Sequence, residues 1–144
     1  MPDPLVKSLN LVLDERGFLV ELLRADDPFF TKFGQAYISA INPGVVKGFY
    51  RHLTKTSHLT CVQGQIKLVL VDVGNILKKV YEYHLSLLSP KLVVVESGVW
   101  YGWACVGSEP ALVTNFTTEA FDPSRPDQEY MSAHSNPWDY TWNK

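Results

Sequence analysis

Gln65-Ile66-Lys67-Leu68-Val69-Leu70-Val71-Asp72-Val73 is rich in β-branched residues and largely alternates in polarity. That is the pattern of a strand with one buried face. Residues 58–62 form a second such run just upstream. Gln63-Gly64 between them reads as a tight hairpin turn, with glycine supplying the positive φ. Working outward, the same period of two recurs at residues 35–42, 46–52, 80–85, 91–95, 99–104 and 111–116. Turn chemistry separates the runs: Asn42-Pro43-Gly44, Gly74-Asn75, Ser89-Pro90, Ser97-Gly98 and Gly107-Ser108-Glu109-Pro110. At least eight short strands at near-regular spacing indicate an all-β sandwich or jelly roll. One stretch, residues 28–33, reads as a helical turn. The tail, residues 122–144, is polar, rich in proline and expected to be irregular. Its Trp138, Tyr140 and Trp142 need a surface to pack on.

The chain has 144 residues, a length that suits one domain over residues 1–144, with an N-terminal strand region over about 1–34. Hydrophobic residues make up 46% and charged residues 19%, enough for a packed core. Thirteen basic and fifteen acidic residues leave a net charge of -2, which argues against a nucleic-acid-coating protein. No run approaches the ~18 apolar residues of a membrane span. The first residues lack a basic and apolar leader pattern, so the expected location is cytoplasmic. Two cysteines, Cys61 and Cys105, are too few for a disulfide framework and read as buried small hydrophobes.

The stretch richest in possible chemistry is Gly44-Val45-Val46-Lys47-Gly48-Phe49-Tyr50-Arg51-His52. Positions 50 and 52 of a strand share a face, so Tyr50 and His52 point the same way. They suit either a ligand-binding mouth or a barrel-lining pair bonded to each other or to backbone. Arg16, Lys47 and Arg51 are candidate diphosphate contacts, since charge-assisted bonds to phosphate favour Arg and Lys. Tyr37, Trp100, Trp103 and Tyr130 are candidate stacking residues. His84 and His134 carry no partner pattern.

Gly44, five residues, then Tyr50-x-His52 with Ser57 and Gly64 resembles the first sequence block of the cupins. Glu96-Ser97-Gly98-Val99-Trp100-Tyr101 is similar to the second. The resemblance implies a cupin jelly roll, also called a double-stranded β-helix. Three of the four usual ligand places hold Tyr50, Ser57 and Tyr101, and one His does not make a catalytic metal site, so no metal or other cofactor is expected.

Within the cupins, the chain resembles the dTDP-4-dehydrorhamnose 3,5-epimerase group and its short relatives. The matching pieces are Asp14-Glu15-Arg16-Gly17-Phe18 with Glu21, then Gln35, Gly44-Val45-Val46-Lys47-Gly48, Gly98-Val99-Trp100-Tyr101-Gly102, Phe121-Asp122-Pro123 and Pro137-Trp138-Asp139-Tyr140. The resemblance implies an isomerase or epimerase for a nucleotide-linked 4-keto-6-deoxy sugar, used in surface polysaccharide or deoxysugar biosynthesis. It also implies a homodimer in which the strand near residues 14–23 is exchanged, carrying Arg16 to the partner's site. The 4-keto group acidifies neighbouring C–H bonds, so the reaction needs a base, an acid and donors facing the oxyanion.

The chain departs from the group at the proton-transfer places. Tyr50 stands where the group has its His base, Tyr101 where it has a second His, and Ser57 where it often has Lys. The expected acid falls near Ala120. His52 is then the candidate base, with Tyr50 and Tyr101 as proton donors, because a phenol near pKa 10 is a poor base and a workable acid. Arg16, Glu21, Gln35, Tyr37, Lys47, Arg51, Ser57 and Trp100 are the candidate substrate contacts. The alternative is a sugar- or nucleotide-binding cupin that has lost catalysis.

Overall fold

The computed structural model describes residues 3–74 and 77–142. Twelve strands follow in order: β1 (Val6–Ser8), β2 (Leu11–Asp14), β3 (Gly17–Val20), β4 (Gln35–Ile41), β5 (Val46–His52), β6 (Ser57–Gln63), β7 (Ile66–Asp72), β8 (Lys79–Leu85), β9 (Lys91–Val95), β10 (Trp100–Cys105), β11 (Ala111–Thr117) and β12 (Gln128–Tyr130). One sheet has the order β1-β9-β6-β11-β4 and the other β12-β5-β10-β7-β8, every pairing antiparallel. Strands β2 and β3 form a hairpin of their own. The expected all-β jelly roll is the observed architecture. Among the described residues no helix is long and apolar enough to cross a membrane.

The inward faces of both sheets build the main core. Ile41, Leu59, Cys61 and Val113 come from the first sheet, and Leu68, Leu70, Tyr101 and Trp103 from the second. Alternate residues of the second sheet point outward to a smaller core, where Phe49, Val69, Val71 and Trp100 lie beneath Trp138, Tyr140 and Trp142. The tail aromatics thus find the surface they need. Lys67 is 1% exposed under this cover, with its Nζ 5.2 Å and 5.4 Å from the ring centres of Tyr140 and Trp142. Such contacts offset part of the penalty of burying an ammonium.

Four sequence expectations need correction. Gln63-Gly64 does not close a hairpin, because β6 and β7 belong to different sheets. Gly64 has φ +75° at the corner, and a Cβ there would stand 2.9 Å from Ala111 Cα, so glycine is required for the crossing rather than for a hairpin turn. Residues 28–33 are not helical. Asp27 and Phe30 donate successive turn bonds instead, Asp27 N–H to Arg24 O and Phe30 N–H to Asp27 O, and Phe29 stacks on His58 at 5.9 Å. The tail is not wholly irregular, since β12 pairs with β5. The N-terminal strand expected near residues 14–23 is split by a turn, where Asp14 Oδ1 accepts Arg16 N–H at 2.8 Å. The turn expected at Gly74-Asn75 lies partly outside the described residues, while the β7–β8 pairing it serves is present.

Candidate active site

Strand β5 carries the candidate site, and a bulge decides which of its side chains enter. Opposite β10, Tyr50 pairs with Tyr101 and Gly48 with Gly102, leaving Phe49 as an extra residue. Phe49 turns to the outer core and pairs its backbone with Met131. The extra residue shifts the parity, so Lys47, three positions before Tyr50, lines the same cavity. That cavity, about 290 Å³, is bounded by Tyr37 and Ser39 of β4, Lys47 and Tyr50 of β5, Tyr101 and Trp103 of β10, and Gln128 of β12. It lies between the edge strands of the two sheets.

A chain of polar groups lies behind the cavity wall. His52 Nε2 is 3.0 Å from the Tyr101 hydroxyl. The side chains of Ser57 and Tyr37 also neighbour the Tyr101 hydroxyl. Asn115 Nδ2 donates to the Tyr37 hydroxyl at 2.8 Å and to Ser57 Oγ at 3.2 Å. Asn115 Oδ1 accepts the His58 N–H at 3.1 Å, which orients the amide toward the hydroxyls. His52 is 6% exposed and reaches the cavity through Tyr101 rather than lining it.

Burial lowers the pKa of His52, and the nearby positive charge of Lys55 adds to the shift, so the neutral imidazole is favoured. Burial pushes the Tyr101 and Tyr50 phenols up, keeping both protonated. The arrangement therefore joins a neutral imidazole to a protonated phenol facing a cavity. Lys47 Nζ donates to Ser39 Oγ at 3.0 Å and Ala40 O at 2.6 Å, which holds an ammonium at the cavity wall.

Among the residues singled out in the sequence, Tyr37, Lys47, Tyr50 and Tyr101 line the cavity, with His52 and Ser57 directly behind. Others lie elsewhere. Arg51 has the opposite parity to Tyr50 and His52, pairs with Glu129, and sits 4.7 Å above the Trp100 ring. Trp100 itself belongs to the outer core. Gln35 Oε1 accepts the Phe121 N–H at 2.9 Å, away from the cavity lining. Glu21 pairs with Arg24, and Arg16 with Asp14 at the tip of the exposed hairpin. Ala120 and Phe121 line a separate concavity with residues 53–55 and Asp127. Asn115 was not singled out, although it holds an inward position in β11, where inward apolar residues give way to Asn115 and Thr117. Among the described residues no three His, Cys, Asp or Glu side chains gather as a metal site.

Residues 12–129 match the polysaccharide biosynthesis C-terminal domain family. The chain belongs to this family. It is 32% identical over 146 residues to the spore coat polysaccharide biosynthesis protein SpsL of Bacillus subtilis (strain 168), covering 96% of this chain and 93% of SpsL. Its fold superposes on a dTDP sugar isomerase from Desulfovibrio desulfuricans G20 with a TM-score of 0.83 and 28% identity, over 90% of this chain and 83% of the other. The dTDP-4-dehydrorhamnose 3,5-epimerase of Bacillus anthracis str. Ames gives a TM-score of 0.85 at 19% identity, over 98% and 85% of the two chains. The fold is the cupin jelly roll of these epimerases, as the motifs predicted.

Proposed function

We propose that this protein is an epimerase or ketoisomerase acting on a nucleotide-linked 4-keto-6-deoxy sugar by proton abstraction and return without a metal, in polysaccharide or deoxysugar biosynthesis. The observation that carries the reading is the contact of His52 Nε2 with Tyr101 OH at the wall of the cavity. The similarity to a dTDP sugar isomerase and to a polysaccharide biosynthesis protein supports the substrate class. The protein acts as a cytoplasmic homodimer in this reading, with the exposed β2–β3 hairpin bringing Arg16 to the partner's site.

In this mechanism the carbonyl acidifies a C–H bond of the bound sugar. The Tyr101 oxygen takes that proton as its own hydroxyl proton moves to His52 Nε2. Concerted transfer matters because the raised pKa of Tyr101 opposes a free phenolate. Electrons of the broken C–H bond move onto the carbonyl oxygen, giving an enolate, and the Lys47 ammonium stabilises the charge. Reversal through Tyr101, or donation from Tyr50 on its own side of the cavity, returns a proton to carbon. Return from the other face gives the epimer, and return at another atom shifts the ketone.

Incubation with a dTDP-4-keto-6-deoxy sugar in deuterated water tests this. Solvent deuterium is expected at a carbon beside the carbonyl, and the His52→Gln variant should slow its entry by roughly 10²–10⁴-fold. Tight binding without exchange in the wild type would contradict catalysis. It would favour a binding role, the reading prompted by Tyr50 and Tyr101 standing where the epimerases have His.

A further inference from the structure

The extra residue of β5 is held from the outer face of its sheet. No residue of β10 pairs with Phe49, since Tyr50 lies opposite Tyr101 and Gly48 opposite Gly102. The tail supplies its partners instead: Phe49 N–H donates to Met131 O at 2.7 Å and Met131 N–H to Phe49 O at 2.9 Å. Its buried ring meets Trp138 edge-on at 5.0 Å, Trp142 at 5.3 Å and Tyr140 at 6.3 Å. The segment that offers these rings is itself pinned. Asn136 Oδ1 accepts the N–H groups of Trp138 at 3.1 Å and Tyr140 at 3.0 Å. Trp142 Nε1 donates to Ala133 O at 3.0 Å, and Lys78 Nζ donates to Trp138 O. All three rings lie on the far side of the sheet from the cavity.

Without that extra residue Lys47 and Tyr50, three apart in a strand, would face opposite sides of the sheet. The ammonium thus stands beside Tyr50 only while Phe49 keeps its ring turned out. Trp138 makes the shortest of the three ring contacts and also packs on Trp100 of β10 at 5.5 Å, so it bridges the two strands that form the bulge. We propose that Trp138 is a positioning residue, which acts through Phe49 to fix the bulge and so to hold Lys47 at the cavity wall. The proposal rests on the reading of Lys47 as the group that stabilises the enolate. It extends the machinery of that site across the sheet to the tail.

Two readouts test it on Trp138→Leu, which removes the ring and keeps apolar bulk, and on Trp138→Phe, which keeps a ring. With a dTDP-4-keto-6-deoxy sugar in deuterated water, Trp138→Leu should lower kcat for deuterium entry by roughly 10- to 100-fold with KM unchanged. Trp138→Phe should recover most of the rate. In a Lys47→Met background the further loss from Trp138→Leu should shrink to near unity, because the residue it acts through is gone. Losses that multiply, or a changed KM at constant kcat, overturn the proposal. The second readout needs no substrate. Lys47 is held by Ser39 Oγ and Ala40 O in the wild type, so under reductive methylation it should react several-fold faster in Trp138→Leu, while the buried Lys55 reacts at the same rate in both. An unchanged Lys47 rate, or Lys47 and Lys55 rising together, rejects Trp138 and leaves the enzymatic reading standing. Phe49→Leu probes the same contact from the sheet side and carries both readouts if Trp138→Leu does not fold. If the wild type exchanges no deuterium, the enzymatic reading falls, and the methylation rates alone decide whether the tail holds Lys47.

Discussion

His52 is 6% exposed and feels the Lys55 ammonium, and both conditions favour its uncharged form. The consequence for stability has a definite sign. Its folded pKa lies below the ordinary value of 6.5, so over the interval between them the unfolded chain binds a proton that the folded one does not. Stability therefore holds above about pH 6.5 and falls as the pH drops from there toward the folded pKa. Urea unfolding midpoints measured between pH 8 and 5 should show this decline, and His52→Gln should flatten it. A slope unchanged in the variant would assign the effect to other groups. The pairing of Tyr50 with His52 on one face was legible from strand parity alone. Lys47 was legible only as a residue type, because the Phe49 bulge that brings it to the cavity leaves no mark in a period of two. Arg51 and Trp100 were chosen for charge and aromaticity, and parity sends both to the outer face.

Between elements, the tightest approach in this region is that of β5 and β10. A Cβ on Gly48 would stand 2.6 Å from Gly102 Cα, and Gly48 has φ +134°, so steric overlap and backbone strain act together. Gly48→Ala should destabilise the protein by about 2–5 kcal/mol, read as a lowered urea midpoint with an unchanged slope. A change within about 0.5 kcal/mol would mean that the two strands separate easily at this point. The eight longer strands were legible because each is a run of five to seven residues rich in β-branched, aromatic or other apolar side chains, with Gly, Pro, Asn or Ser marking many of the breaks between them. The short strands β1 and β12 were not, since three-residue segments carry no period and take their structure from the strands they pair with, β9 and β5. Gly64 announced its positive φ but not which sheet the chain joins next. That choice is made by Ala111 and the long-range pairing of β6 with β11.

At the scale of the whole molecule, the two sheets part along the edges formed by β4 and β12, and the polar lining lies there. The tail closes the outer face of the second sheet with Trp138, Tyr140 and Trp142, while its Tyr130 packs on the cavity-lining Tyr50 at 5.8 Å. The β2–β3 hairpin stands apart with Val12, Leu13, Phe18 and Leu19 exposed, an apolar surface that the proposed dimer would cover. A crystal structure with a dTDP-linked deoxy sugar tests the central claim most directly. The account predicts a sugar ring in the cavity between Tyr37 and Trp103, with a ring carbon facing the Tyr101 hydroxyl and His52 behind it. A ring lodged instead in the concavity of residues 53–55 and 119–127, with Tyr101 touching no part of the ligand, would contradict it.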